Sequence, residues 1–70
     1  MEQLMQIFLN GEPVQLDAPA TVADLLERAG YARRRVAVEI NQAIVPRSAH
    51  AGHRLADGDR IEVVTAFGGG

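Results

Sequence analysis

With 70 residues, 47% of them hydrophobic, and a formal net charge of −2, the chain can form one small domain with an economical core. It has no cysteine, which excludes disulfides, thiolate metal sites and a cysteine nucleophile. Its basic residues are scattered apart from Arg33-Arg34-Arg35, and no apolar run reaches the roughly 18 residues of a membrane span, so we expect a cytoplasmic protein that binds neither nucleic acid nor membrane.

The first elements in chain order form a β-hairpin. Residues 4–10 alternate, with apolar side chains at positions 5, 7 and 9, which is typical of a strand that covers a core with one face. Asn10-Gly11 then supplies the positive-φ residues of a type I′ turn. A second strand is predicted over residues 14–16, with Pro13 near its start.

A single helix is predicted next. The Thr21 hydroxyl can cap its first turn. The Asp24 carboxylate, three residues later, can accept a hydrogen bond from the Thr21 amide, which completes a capping box. Gly30 stands where a left-handed C-cap is favoured. The apolar residues at helical spacing form one stripe, consisting of Val22, Leu25, Leu26 and Ala29. This stripe predicts one buried helix face.

Two further strands follow the helix. Residues 36–40 alternate as a strand, and Asn41-Gln42 marks a turn. Ile44-Val45 is a short strand that Pro46 ends. The segment 47–55 is predicted to be a loop.

The last strand is predicted over residues 60–67, after the turn Asp57-Gly58-Asp59. The order is therefore ββαβββ, an α+β fold in which one helix packs across a mixed sheet of four or five strands. The helix is a crossover, so the last strand can lie parallel to the first, which is the β-grasp arrangement. We expect residues 1–67 to form this single domain and residues 68–70 to form a flexible glycine tail, because glycine is costly to order.

The outer face of the last strand carries a predicted partner-binding surface. If positions 61 and 63 face the core, alternation places Val64 and Ala66 outside, and Phe8 on the neighbouring first strand joins them. Exposed apolar patches often mark partner sites. Phe67 lies at the root of the tail, where it can either anchor the last strand in the core or enter a partner's groove, and we favour the groove. The predicted partner-binding surface consists of Phe8, Val64, Ala66 and Phe67.

Other polar residues favour structural roles. His50 and His53 are three apart, but no third ligand is evident, so we predict no metal site. Asp57 and Asp59 are more simply turn formers than acid-base catalysts. The arginine triplet 33–35 fits a solvated loop, with the steering of an acidic partner as the alternative. With no catalytic triad or phosphate loop, we predict no catalytic residues and no enzyme activity of the chain's own.

Several segments, in order and at their spacing, resemble the bacterial sulfur carrier proteins of the thiamine pathway, within the ubiquitin-like superfamily. The similarity runs from Met5 to Gly70, so the start of the natural chain at Met1 or at Met5 stays open. The segments that carry it are Asn10-Gly11-Glu12, Val36-Ala37-Val38-Glu39-Ile40-Asn41, Ile44-Val45-Pro46-Arg47-Ser48, Asp57-Gly58-Asp59-Arg60-Ile61-Glu62-Val63-Val64 and Phe67-Gly68-Gly69-Gly70.

The resemblance implies that this chain is a protein cosubstrate that binds no cofactor itself. In that family an adenylating enzyme uses ATP to convert the last carboxylate, here that of Gly70, to an acyl-adenylate. Sulfur from a partner's persulfide then displaces AMP, and the resulting thiocarboxylate gives its sulfur to thiazole synthase. Gly68, Gly69 and Gly70 would enter the partners' active sites as an extended tail. The free carrier is expected to be a monomer.

Two other functions remain open on the sequence. The small subunit of molybdopterin synthase has the same fold, terminal glycines and thiocarboxylate, although the ending Ala66-Phe67-Gly68-Gly69-Gly70 favours thiamine. The other is a ubiquitin-like modifier or interaction module, whose tail would form amide bonds to lysines or do nothing.

Overall fold

The computed structural model describes residues 3–65, which form a five-stranded mixed sheet and one α-helix. The elements are β1 (Gln3–Leu9), β2 (Glu12–Ala18), α1 (Val22–Ala29), β3 (Val36–Ile40), β4 (Ala43–Val45), a 3-10 helix (Arg47–Ala49) and β5 (Arg60–Thr65). The strand order across the sheet is β2-β1-β5-β3-β4, with β1 and β5 parallel and the other pairs antiparallel. The predicted β-grasp, with order ββαβββ, is confirmed.

The hairpin between β1 and β2 forms around the predicted turn. Asn10 and Gly11 have φ values of 50° and 87°, the left-handed backbone that a type I′ turn requires. The second strand is longer than predicted, because it begins before Pro13, which pairs with Phe8. A proline is tolerated there because β2 is an edge strand and needs no donor on its open side.

Helix α1 begins and ends as its sequence indicates. Thr21 Oγ1 accepts a hydrogen bond from the Asp24 amide at 3.2 Å, and Asp24 Oδ2 accepts one from the Thr21 amide at 2.9 Å. Gly30 takes the left-handed C-cap with φ 88°. The predicted stripe was wrong at its last member, because Ala29 is exposed. Tyr31, just after the helix, packs against the core at that end.

The core lies between α1 and one face of the sheet, and every second residue of β1, β3 and β5 points into it. Its buried members are Met5, Ile7, Leu16, Ala20, Val22, Leu25, Leu26, Val38, Ile40, Val45, Leu55, Ile61 and Val63. The segment predicted as a loop is attached to this core, because the Leu55 amide donates to the Ala20 carbonyl at 2.8 Å. No helix in residues 3–65 is long and apolar enough to cross a membrane.

Candidate functional site

Strand β5 carries the chain through the middle of the sheet to the end of the described part. Ile61 and Val63 on its inner face are 0% and 6% exposed, whereas Val64 is 61% exposed. This alternation confirms that Val64 lies on the outer face, away from α1. The last described residue, Thr65, pairs with Val36 where β3 begins.

The side chain of Asn10 holds β5 near its end. The Asn10 amide donates to the Ile61 carbonyl at 2.8 Å, as a further rung of the parallel β1–β5 ladder. After Asn10 the backbone turns away from β5 into the hairpin loop. The Asn10 side chain therefore makes the next hydrogen bonds to β5 in place of the backbone. Asn10 Oδ1 accepts from the Val63 amide at 2.9 Å, and Asn10 Nδ2 donates to the Val63 carbonyl at 3.3 Å. From the sequence, Asn10 was assigned only to a turn.

A second asparagine holds β5 at its start. Asn41 exchanges hydrogen bonds with the Arg60 backbone, and its Nδ2 donates to Asp59 Oδ1 at 3.0 Å. Asp59 Oδ2 also accepts from an amide of its own turn at 2.8 Å, and Asp57 Oδ1 accepts from the Gln6 amide at 2.7 Å. The predicted turn role is confirmed for Asp59, which closes its own turn, while Asp57 lies in the same turn and joins it to β1. The two ends of β5 are fixed by side chains of neighbouring hairpins.

Phe8 and Val64 share the outer face but are not neighbours. The parallel register pairs Phe8 with Arg60, and the Arg60 guanidinium carbon lies 5.5 Å from the centroid of the half-buried Phe8 ring. Val64 is four residues after Arg60 on β5, which is about 13 Å along the strand at the usual rise. The apolar patch predicted from these two residues is therefore divided, because the register of β1 on β5 was not evident from the sequence.

The residue that does lie beside Val64 is Ala37, which is directly opposite it on β3 and is also exposed. The sequence analysis missed Ala37, although the alternation that it found in β3 would have placed this residue on the outer face. Two larger hydrophobic side chains on the same face were also missed, Leu4 at 65% and Ile44 at 76% exposure. The outer face thus offers separate apolar side chains among polar ones.

Five of the predicted site residues lie outside the described part of the chain. They are Ala66, Phe67, Gly68, Gly69 and Gly70. The structure gives the strand from which they continue and the neighbours of that strand at Thr65. The roles assigned to these five residues stay predictions.

The two histidines occupy different environments. His50 is buried, and its Nε2 lies 3.1 Å from the Val45 carbonyl oxygen. A carbonyl can only accept, so Nε2 carries the proton and donates to it. His53 is half-buried, and its carbonyl accepts from the Val22 amide at the start of α1. Within residues 3–65, no three histidine, cysteine, aspartate or glutamate side chains are grouped to hold a metal ion.

Comparison with known proteins gives relatives of two lengths. Thiazole synthase from Paramagnetospirillum magneticum is 44% identical over 66 residues, which are 94% of this chain and 20% of that protein. The chain thus spans about a fifth of that relative. The sulfur carrier protein ThiS of Escherichia coli K12 is 41% identical over 66 residues, which are 94% of this chain and 100% of that protein.

A solved structure and a family model match the chain as well. The crystal structure of the thiamine biosynthesis protein ThiS from Geobacter metallireducens superimposes with a TM-score of 0.79 at 32% identity, covering 94% of this chain and 100% of that one. The model of the ThiS family matches residues 6–70. The resemblance to sulfur carriers of the thiamine pathway is thereby confirmed, and the chain belongs to the ThiS family.

Proposed function

We propose that this protein is the sulfur carrier of thiamine biosynthesis and holds the sulfur as a thiocarboxylate on Gly70. The observation that carries the proposal is the extent of the family match, which runs to residue 70 and so includes the three glycines. The body in front of them is a small β-grasp domain in which the carboxylates of Asp57 and Asp59 accept hydrogen bonds from backbone amides. The protein is then a cosubstrate and not a catalyst.

The chemistry begins with activation, because a free carboxylate is a poor electrophile. A Gly70 carboxylate oxygen attacks the α-phosphorus of ATP, forming the acyl-adenylate and releasing pyrophosphate. The terminal sulfur of a partner's persulfide then attacks the acyl carbon, and AMP leaves. This forms the C–S bond of an acyl disulfide that still contains the S–S bond of the persulfide. A thiol then attacks the sulfur of the donor cysteine and forms a disulfide with it, which breaks the older S–S bond and leaves the thiocarboxylate on Gly70. This chain has no cysteine, so every sulfur in the sequence of steps comes from outside.

Three partners follow from this chemistry: an adenylating, ATP-dependent enzyme, a persulfide donor and thiazole synthase. Gly68 and Gly69 let the tail lie extended in the narrow active sites of the enzymes, because they carry no Cβ. The docking surface is proposed to include Phe8, Val64, Ala66 and Phe67, on the outer face of the sheet and at the root of the tail. The use of ATP fits a cytoplasmic location.

Intact-mass spectrometry of the protein recovered from cells grown without thiamine tests the proposal. We expect a fraction of molecules in which one oxygen of the C-terminal fragment is replaced by sulfur. An isopeptide bond from Gly70 to lysines of other proteins would instead identify a modifier and contradict the proposal. Reconstitution separates the two carrier pathways, because the thiocarboxylated protein should support thiazole formation and should fail to complete molybdopterin.

A pair of glycine substitutions tests the role of the tail. Gly69→Val should abolish thiocarboxylate formation, because a branched side chain blocks the narrow active site, and should leave the melting temperature unchanged. Gly52→Val is the matched control, since a Cβ at Gly52 has no atom within 4 Å and its φ lies outside the left-handed range. Normal conversion of the Gly69→Val protein would show that the tail does not enter a narrow site.

A further inference from the structure

The charges of the chain are unevenly placed around the end of β5. Val36 pairs with Thr65, so the exposed arginines 33–35, which immediately precede β3, lie beside the point where β5 ends. Antiparallel partners are about 5 Å apart at Cα and successive residues 3.8 Å, which puts the Arg35 Cα within about 10 Å of the Thr65 Cα. The basic loop therefore lies next to the strand that leads into the tail.

A fourth arginine joins this loop. Arg34 and Arg47 line one small cleft, together with Tyr31 and His50. Arg47 reaches it because β4 runs antiparallel to β3 and ends at the same edge of the molecule. We call these four exposed residues, Arg33, Arg34, Arg35 and Arg47, the basic end. Among the residues that line this cleft and the adjoining one, Glu27 is the acidic residue, against Arg34 and Arg47.

The remaining three arginines have other surroundings. Arg28 lines a cleft with Asp17 and Asp24, and Arg54 lines one with Asp59. The third, Arg60, lies over the ring of Phe8. The side-chain hydrogen bonds found within residues 3–65 involve asparagine, aspartate, threonine and histidine and none of the guanidinium groups of the basic end. Within the described part of the chain, no side-chain hydrogen bond therefore accounts for the basic end.

The length of the tail limits how far the active site of a partner enzyme can lie from the basic end. Residues 66–70 span about 18 Å at most when fully extended. An enzyme that adenylates Gly70 must therefore bring the rim of its active site close to Thr65, and so to the basic end. Charges separated by a Debye length, about 8 Å at physiological salt, still attract each other appreciably. A complementary rim would speed the encounter and orient the tail toward the entrance.

We propose that the basic end binds an acidic surface beside the active-site entrance of the adenylating partner. This inference rests on the proposed function, because it requires an enzyme that accepts the Gly70 carboxylate. It assigns the first contact between the two proteins to charged side chains at the end of the sheet. Arg33 and Arg35 can be changed without loss of any hydrogen bond found in the fold.

The test uses an adenylating enzyme that has first been shown to convert the wild-type chain to the thiocarboxylate. Association rate constants are measured by surface plasmon resonance over a series of salt concentrations. The variant R33Q/R35Q removes two charges from the basic end. R28Q/R54Q is the matched control, since it removes two charges elsewhere and reaches the same net charge. R33K/R35K keeps the charge and changes only the shape of the donors.

We expect R33Q/R35Q to associate about tenfold more slowly than wild type at low salt, with R28Q/R54Q and R33K/R35K within about twofold. The differences should vanish near 1 M salt, where the Debye length is about 3 Å. Conversion at saturating enzyme should be equal for all variants. Equal slowing by the two glutamine pairs, or slowing by neither, would overturn the inference while leaving the carrier function intact. If no enzyme converts the wild-type chain, the carrier function fails and the inference fails with it.

Discussion

Replacing Asn10 by alanine should destabilise the protein by about 2 to 3 kcal/mol, although the side chain is exposed. The substitution removes both side-chain hydrogen bonds to Val63. Each contributes about 0.5 to 1 kcal/mol net, at the low end of the usual range because water can reach them. Alanine must also take the left-handed backbone with φ 50°, which costs roughly 1 kcal/mol more.

Asn10→Gly separates the two contributions. Glycine takes the positive φ without strain and loses only the hydrogen bonds, so we expect a loss of about 1 to 2 kcal/mol. Urea unfolding gives both free energies by linear extrapolation, with unchanged m-values showing that the unfolded ensemble is the same. In a domain of this size the alanine variant should also melt roughly 10 to 20 °C lower.

Hydrogen exchange locates the effect. The Val63 amide donates to Asn10 Oδ1, so its exchange should be faster in both variants by more than the change in global stability explains. The amide of Leu55, which donates to the Ala20 carbonyl and has no contact with Asn10 in this hydrogen bond, is the internal reference. An alanine variant that loses less than about 0.5 kcal/mol, or unchanged protection of Val63, would show that the Asn10 side chain does not hold the end of β5.

Three further sets of substitutions test other parts of the fold by urea unfolding. Thr21→Ala and Asp24→Ala should each cost about 0.5 to 2 kcal/mol, and the double variant less than their sum, because each side chain caps the other's amide; strict additivity would contradict the capping box. Ile61 is 0% exposed, so Ile61→Val should lower the free energy of unfolding by about 0.5 to 1.5 kcal/mol and Ile61→Ala by about 2 to 5 kcal/mol. Similar small losses for both variants would contradict the central place of Ile61 in the core. Gly30→Ala should destabilise by about 1 kcal/mol because of its φ of 88°, whereas Gly52→Ala should be neutral or stabilising; equal effects would contradict the left-handed C-cap.

The local patterns of the sequence predict the elements well, because each depends on near neighbours. Asn10-Gly11 needs only its own backbone preference to form a turn, and the Thr21 and Asp24 pair needs only its spacing. Ala29 was misplaced because the helical period says which face a residue is on but not where the core ends.

The register between strands that are distant in the sequence, and the hydrogen bonds between them, could not be predicted from local patterns. The register that pairs Phe8 with Arg60 depends on packing across the sheet, and a shift of the two strands would have left both alternations intact. For the same reason the second role of Asn10, a bond to Val63 more than fifty residues later, has no local signal. The likeness to carrier proteins can be found from the sequence, because it rests on the order of motifs, which needs no register.

The place of β5 has a consequence for how the protein is made. It is the last strand in the described chain and the third of five in the sheet, between β1 and β3. Until residues 60–65 have left the ribosome, the hairpins on either side have no strand to join them, and the helix has only half a surface to cover. Folding must therefore wait for this late, non-local pairing. A prematurely ended chain would fail to fold and would be open to proteases, so only chains whose synthesis has passed β5 would persist as folded domains.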